Sequence, residues 1–563
     1  MKRIHSILLA LVATFALSAS AQQVTTLYFL ENAPMRHTIN PALQPVSNGF
    51  INFSPLGWMT LSAGNNSLTL SDVLFVDPET GKTITPLHPH ADRQAFLNSL
   101  HSMTLADVDY TFSWLNMGFR LKENGYLMIG INQRIEAGGT LPKPMFEFVL
   151  GGGMTYLNQG ETNNFNLSGL GTGGTMFTEI GAGYSHRIDE HWTIGGKLKL
   201  LLGTVDVTVR TKAVGIEAST DAWRIKGDLA VEMSGPLNFN ALPDMNERRL
   251  IDVINDFKQG SSTGRPISLD SLINLRNIPG LIKPSGYGAA LDFGFAWKPI
   301  DNLQVTGAIN DLGFIYWTNA KKYTASMDTT FNGLGSVDYG DPAFRDQQGN
   351  FSTDLMLDSL LKNIEGLANN IILHPSGNGY AKMITARLNI GLDANFWDNR
   401  VGVGIVSATR IYNARLYEEV TFGVSFRPVN WFNIAATYSL MNNGKYSNIG
   451  AGLSFMPYDG INLTLAMDYI PTSYAAIDMN GTPKYLLPDR SKMVNLALGF
   501  SVCWGTNKKK TNSVVEEQLD MKPETTAEPK AEPKTEPTAP APVVEDPEIP
   551  QEIIDKELEN QKV

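Results

Sequence analysis

Cysteine is almost absent from this 563-residue sequence, and long hydrophobic runs are absent beyond its first twenty residues. The single cysteine, Cys503, excludes an intramolecular disulfide framework, and we expect it to be a small residue in the wall of the fold. No apolar stretch of about eighteen residues follows the N-terminal region, so no transmembrane helix is predicted. A basic face with interleaved aromatic residues is also lacking, which argues against binding to nucleic acid.

Motifs of catalysis and cofactor binding are missing as well. The sequence has no nucleophile elbow, no phosphate-binding loop and no zinc-protease helix, so we predict no enzyme activity. His88 and His90, with His101 further along, could bind a metal. Neighbouring histidines in a loop are more often solvated, and we therefore expect neither a metal nor a cofactor.

The N-terminal residues are typical of an export signal. Lys2 and Arg3 precede an apolar run over residues 7–17, and Ala19-Ser20-Ala21 follows as a small-residue cleavage site. We predict a signal peptide over residues 1–21, with cleavage after Ala21. No cysteine follows this site, which argues against a lipoprotein.

The rest of the chain is dominated by hairpins with period-two alternation and short polar turns. Residues 291–299, for example, turn at 300–302 into 303–316, and residues 449–457 turn at 458–460 into 461–470. Short turns at one end and long loops at the other predict a transmembrane antiparallel β-barrel, here of about 14 strands. The barrel is predicted over residues 48–504, with strands at 48–61, 110–121, 126–137, 175–188, 192–210, 286–299, 303–317, 383–397, 400–411, 417–428, 431–440, 449–457, 461–470 and 494–504.

The strands predict which side chains meet lipid. Leu291, Phe293 and Trp297 share one face, and a second strand places Leu463, Leu465, Met467 and Tyr469 outward. A charge facing lipid at mid-depth costs roughly 2–4 kcal/mol, so charged strand residues should face the lumen. They either line a pathway or form a static network of salt bridges, and both interpretations stay open. The lumen-facing candidates are Lys197, Lys199, Asp292, Arg387, Asp393 and Asp468.

The long loops, 62–109, 138–174, 211–285 and 318–382, are expected to face outside and to be partly helical. Helical spacing occurs over 92–103, 246–257 and 354–367, and residues 205–213 and 223–233 alternate like a hairpin above the membrane. With short turns and an even strand number, both termini should be periplasmic.

The C-terminal residues 505–563 differ from the barrel in composition. Residues 527–538 repeat a four-residue unit with Glu-Pro at its centre. Regular proline, high charge and few apolar residues cannot build a core, so we predict a disordered periplasmic tail. Its reach would suit contact with a periplasmic protein or with peptidoglycan.

Residues 28–45, YFLENAPMRHTINPALQP, stand just before the first strand and contain the step Asn40-Pro41-Ala42. They resemble a Gram-negative outer-membrane family of unknown function that is akin to type IX secretion barrels and long-chain fatty-acid transporters. The resemblance implies an outer-membrane location, lipid and the barrel assembly machinery as partners, and a lumen plug. In the fatty-acid transporters a lateral opening also releases apolar ligands into the membrane.

Three prolines in this segment exclude a regular helix or central strand, which agrees with a plug over residues 22–47 gated at Asn40, Pro41 and Ala42. A periplasmic leader without a gating role is the alternative. The leading prediction for function is a passive channel or transporter for small apolar or amphipathic molecules. The second is a non-conducting scaffold barrel whose tail recruits a secretion or envelope-assembly partner.

Overall fold

The computed structural model describes residues 23–77, 79, 83–151, 161–219, 223–236, 245–259, 283–331, 342–345, 349, 352, 355, 370–412, 415–429, 431–441, 446–458, 460–477, 485–489 and 492–506. The predicted signal peptide with Ala21, the tail beyond residue 506 and nearly all of the predicted helix 354–367 lie outside these residues.

Within the described ranges, alternating, β-branched and aromatic segments form 26 strands. The strands are β1 Ser47–Phe53, β2 Trp58–Asn65, β3 Phe75–Val76, β4 Thr83–Ile84, β5 Met103–Leu121, β6 Gly125–Pro142, β7 Thr162–Asn166, β8 Gly171–Arg187, β9 Trp192–Thr211, β10 Gly215–Ser219, β11 Trp223–Ser234, β12 Arg248–Arg249, β13 Gly286–Ile300, β14 Leu303–Trp317, β15 Ala320–Phe331, β16 Ile372–Gly377, β17 Tyr380–Met383, β18 Ala386–Phe396, β19 Val401–Tyr412, β20 Arg415–Val429, β21 Phe432–Met441, β22 Tyr446–Tyr458, β23 Ile461–Asp468, β24 Ser473–Ile477, β25 Tyr485–Asp489 and β26 Met493–Thr506.

A closed antiparallel barrel of 14 strands is the centre of the molecule, which confirms the predicted fold class. β1 and β2 act as one interrupted strand, because both pair with β5 on one side and with β26 on the other. β17 and β18 likewise form one interrupted strand against β14. Every predicted strand has its counterpart in the ring. Six turns of two to four residues gather at one end, called here the short-turn end. The other end, called the long-loop end, carries the long connections together with the short connections β19–β20 and β21–β22.

The two faces of the wall differ as alternation requires. Leu198 and Leu291 are exposed on the outside, whereas Lys199 and Asp292, one residue further, are buried inside. An apolar outer band around a closed ring is what lets a β-barrel span a bilayer. Tyr469 departs from the expected pattern: it is buried, because β23 ends at Asp468 and a positive φ of 61° turns the next side chain inward.

Above the barrel, at the long-loop end, several strands extend the wall. The upper part of β9 pairs with β11, and β11 pairs with β15, so the predicted hairpin is present. Four α-helices are described: α1 Leu70–Val73, α2 Arg93–Ser99, α3 Lys143–Gly151 and α4 Leu250–Gln259. α2 falls within the predicted helical stretch 92–103, and α4 overlaps the predicted stretch 246–257 but ends two residues later. None of the described helices is both long enough and apolar enough to cross a membrane.

The residues before β1 do not extend away from the barrel. Residues 23–46, called here the N-terminal segment, form two short 3₁₀ helices, Thr25–Phe29 and Pro34–Thr38, joined by irregular backbone. Leu27, Tyr28 and Leu30 are almost fully buried against the inner wall. Irregular backbone is tolerated at membrane depth only when protein or a wet cavity surrounds it, and here the barrel does.

Candidate functional site

The N-terminal segment follows a bent path inside the lumen. Its first residues, Thr25 and Thr26, contact Asp468 at the last position of β23, away from the short turns. Glu31 forms an ion pair with Arg427 near the short-turn end. The chain then folds back across the lumen, and Gln44 leaves beside the turn carbonyl of Asn124.

Two wall carboxylates hold the first residues of the segment. The backbone N–H of Thr25 donates to Asp468 Oδ2 over 2.6 Å, and that of Thr26 donates to Asp468 Oδ1 over 3.2 Å. The Thr25 hydroxyl lies 3.4 Å from Glu419 Oε1. The phenol of Tyr469 donates to the other Glu419 oxygen over 2.5 Å.

Aromatic residues anchor the next stretch. The Tyr28 hydroxyl donates to Asp393 Oδ2 over 2.5 Å, and the Arg36 guanidinium covers the Tyr28 ring at 5.1 Å from its centroid. Phe29 lies against the bare backbone of Gly423, where a β-carbon would come within 2.5 Å of the ring. The segment is thus fitted to the wall by shape as well as by polar contacts.

Asn40, Pro41 and Ala42 also touch the wall. The Asn40 amide donates to the carbonyl oxygens of Phe295 and Gly307 over 3.0 and 3.2 Å, and its own oxygen accepts from the Ala42 N–H over 2.9 Å. A β-carbon at Gly195 would lie 2.4 Å from the Pro41 carbonyl carbon. The step therefore docks on β9, β13 and β14.

A network of charges crosses the lumen on the long-loop side of this contact. Lys199 Nζ lies 2.8 Å from Asp292 and 2.5 Å from Asp311. Arg387 joins Asp311 at 2.8 Å and Asp109 at 3.2 Å. Since β5 and β18 stand on opposite sides of the ring, the Arg387–Asp109 bond spans the lumen. We call this set the ionic network; its members are Asp107, Asp109, Arg134, Glu136, Glu179, Lys197, Lys199, Asp292, Asp311, Arg387 and Arg410.

The structure divides the six predicted lumen residues into two groups. Lys197, Lys199, Asp292 and Arg387 belong to the ionic network, and the remaining two, Asp393 and Asp468, bind the N-terminal segment. The ionic network occupies the half of the ring from β5 to β19. Among the described residues, the half from β20 to β26 contributes nothing to it, and there the N-terminal segment begins.

Several residues of the site were not predicted from the sequence. Arg134, Glu179 and Glu419 were detectable, because each stands on the polar face of an alternating strand. Asp311 was hidden by a β-bulge: its φ of 61° and the shifted register put two consecutive residues, Asn310 and Asp311, on the inner face. No local pattern marks Glu419 as a contact of the N-terminal segment.

A cavity of about 670 Å³ lies in the long-loop half of the lumen. Carboxylates and guanidinium groups line it beside apolar side chains such as Ile315, Trp317 and Ile384. Each lining carboxylate has a cationic partner within 4 Å, as in the pairs Asp107–Arg410 and Glu232–Arg210. The cavity therefore offers both polar and apolar contacts with little uncompensated charge.

The lining of this cavity continues to the outer face of the wall. Leu312 and Met383 belong to it, yet both are exposed on the outside of the barrel. In the described residues β17 pairs only with β14, while β19 turns into β20 after Tyr412. A notch in the wall thus lies beside β17.

Other candidates lie outside the lumen. His90 Nδ1 is 2.9 Å from Asp77 Oδ1, and this hydrogen bond raises the pKa of His90 above its usual value. His88 stacks edge-on with His90 at 5.1 Å between ring centroids. No group of three or more His, Cys, Asp or Glu side chains arranged for a metal is found within the described ranges.

The sequence of the barrel matches a family model. Residues 41–468 match a family of unknown function, DUF5723. The chain belongs to this family. No curated protein matches the sequence.

Among solved structures the chain is similar to outer-membrane barrels. The Ralstonia pickettii toluene transporter TbuX has 8% identity and a TM-score of 0.36, over 87% of this chain and 97% of that one. The Pseudomonas putida toluene transporter TodX has 10% identity and a TM-score of 0.34, over 84% and 93%. A Pseudomonas aeruginosa FadL homologue has 10% identity and a TM-score of 0.34, over 87% and 100%.

Proposed function

We propose that the protein is a gated, passive outer-membrane channel and that the N-terminal segment is its plug. The observation that carries this proposal is the position of residues 23–45, which lie inside the lumen and bond to strands on several sides of the ring. A leader without a gating role would have no reason to be buried there. The short-turn end is then periplasmic, as in bacterial outer-membrane barrels.

The cavity supports an amphipathic solute. A ligand site of several hundred Å³ with mixed lining suits a small molecule that has both apolar and polar parts. Because the lining charges are already paired, a solute of high net charge would have to break ion pairs to bind. A neutral amphiphile would need no such change.

The notch beside β17 supports access from the membrane. Leu312, Met383 and Ile411 give it an apolar rim. A molecule dissolved in the outer leaflet could reach the cavity there without passing through the long loops. Onward passage requires the part of the lumen that the N-terminal segment occupies.

Removing the plug tests this proposal. We expect the purified barrel without residues 23–45 to conduct ions in planar bilayers and to admit an amphipathic dye into liposomes, and the full chain to do both far less under the same conditions. Heat-modifiable migration on gels confirms that both forms are folded barrels.

If the full chain and the chain without residues 23–45 both stay closed, the channel proposal fails and the scaffold alternative becomes the better account. Deletion of residues 507–563 then becomes the informative experiment. Loss of function with an intact barrel would support recruitment of a periplasmic partner by the tail.

A further inference from the structure

Two buried carboxylates stand apart from the other charges of the lumen. Glu419 on β20 and Asp468 on β23 are 0% and 1% exposed. Within the described residues, neither has a Lys, Arg or His nitrogen within the 4 Å of an ion pair, in contrast to the carboxylates of the ionic network. Their partners are hydroxyl groups and the backbone of the N-terminal segment.

The two carboxylates converge on one hydroxyl group. Thr25 Oγ1 lies 3.2 Å from Asp468 Oδ2, 3.4 Å from Glu419 Oε1 and 3.1 Å from Thr421 Oγ1. A hydroxyl has one hydrogen to donate, so Thr25 can donate to only one of the two carboxylates at a time, whereas the Thr421 hydroxyl can either donate or accept. A proton held by the carboxylate pair would allow one of the two acids to donate a hydrogen bond in this cluster.

Among the residues that the structure describes, the other groups that face the pair are uncharged. β20 contributes Thr421, β21 contributes Thr437 and Ser439, and Tyr469 follows β23. β22 contributes Gly450, where a β-carbon would come within 2.8 Å of Asp468 Oδ1. Two enclosed anions without a countercharge are unfavourable, and like charges that share a site retain a proton.

We propose that Asp468 and Glu419 form a protonation-dependent latch for the plug: a proton held by the pair keeps Thr25 and Thr26 on the wall, and its loss releases them. The inference rests on the plug function proposed above. When the segment leaves, lumen water reaches both carboxylates and they ionise readily. The closed state therefore binds the proton more tightly, so acid favours closure and rising pH favours opening.

The test compares three full-length proteins in planar bilayers between about pH 5 and about pH 9, a range that covers carboxyl groups with perturbed pKa values. For the wild type we expect open probability to rise with pH, by up to about tenfold per pH unit for one linked proton. D468N/E419Q, which keeps the shape of the pair but removes its charge, should stay closed across the range. D206N is the control, because it also removes a buried carboxylate but one that bonds Lys382 and Tyr380 and not the N-terminal segment. It should keep the pH dependence of the wild type.

Trypsin cleavage after Arg36 gives a second readout that does not need conductance. It should increase with pH in the wild type relative to D468N/E419Q. If the wild type and D468N/E419Q show the same pH dependence in both assays, the latch proposal is wrong. A barrel that opens on deletion of residues 23–45 but shows no pH dependence overturns only the latch, whereas one that never opens overturns the channel itself.

Discussion

Gly195 and the carbonyl group of Pro41 are in direct backbone contact: a β-carbon at position 195 would lie 2.4 Å from the Pro41 carbonyl carbon. The N-terminal segment is therefore seated on the bare backbone of β9. No side chain can fit between the two without moving one of them, and the closed ring is the more rigid partner.

Gly195→Ala should displace the segment and raise the resting conductance. The added methyl group meets backbone atoms, and overpacking of this kind costs typically about 1–3 kcal/mol. In single-channel recordings we expect the open probability to rise by the amount that this free energy change implies.

Gly196→Ala is the matched control for that change. Its β-carbon would meet only the Asp292 carbonyl oxygen, at 3.6 Å. Equal conductance in both variants would show that the contact at Pro41 does not hold the channel closed.

Asp311→Asn should destabilise the barrel strongly. Asp311 faces three cations, Lys199, Arg134 and Arg387, each within 2.8 Å. Removing one member of a buried ionic cluster leaves uncompensated charge and costs about 3–5 kcal/mol. Urea unfolding in detergent micelles measures this loss.

Asp328→Asn provides the comparison, because its pair with Arg224 is half exposed on the outer strands. Solvent screens an exposed ion pair, so we expect this variant to lose much less stability than Asp311→Asn. If the two variants lose similar amounts of unfolding free energy, the ionic network does not stabilise the barrel more than an exposed ion pair does.

Met383→Trp should reduce uptake of a membrane-partitioned dye while leaving ion conductance of the unplugged barrel unchanged. A larger side chain on the rim of the notch narrows access from lipid but not the lumen itself. Leu416→Trp is the control, since Leu416 is equally exposed on the outer face and does not line the cavity. Equal uptake by both variants would argue against access beside β17.

The His90–Asp77 hydrogen bond makes the first long loop, between β2 and β5, sensitive to pH. Because Asp77 raises the pKa of His90, the bond stabilises the loop fully below the ordinary histidine pKa and loses its effect as pH rises through the raised value. In an NMR titration we expect Asp77→Asn to move the His90 midpoint down toward the usual range. An unchanged midpoint would mean that Asp77 is not the cause of the raised pKa of His90.

The barrel was predictable from the sequence because the alternation that marks each strand is contained within that strand. Alternation places Leu198 outside and Lys199 inside without knowledge of the neighbouring strands. Tyr469 and Asp311 were mispredicted or missed for one reason: a positive φ at each breaks the period of two. The pairing of Thr25 with Asp468 spans 443 positions and depends on ring closure, so no local pattern could show it.

The most direct test of the plug is a reversible tether. A β-carbon at Gly294 would lie 2.9 Å from Asn40 Cγ, close to the separation of a β-carbon and the opposite sulfur in a disulfide. We predict that oxidised N40C/G294C stays closed at every voltage and pH, and that a reducing agent restores opening within the same bilayer. A tethered protein that opens as readily as the reduced one would contradict the claim that the N-terminal segment gates the lumen.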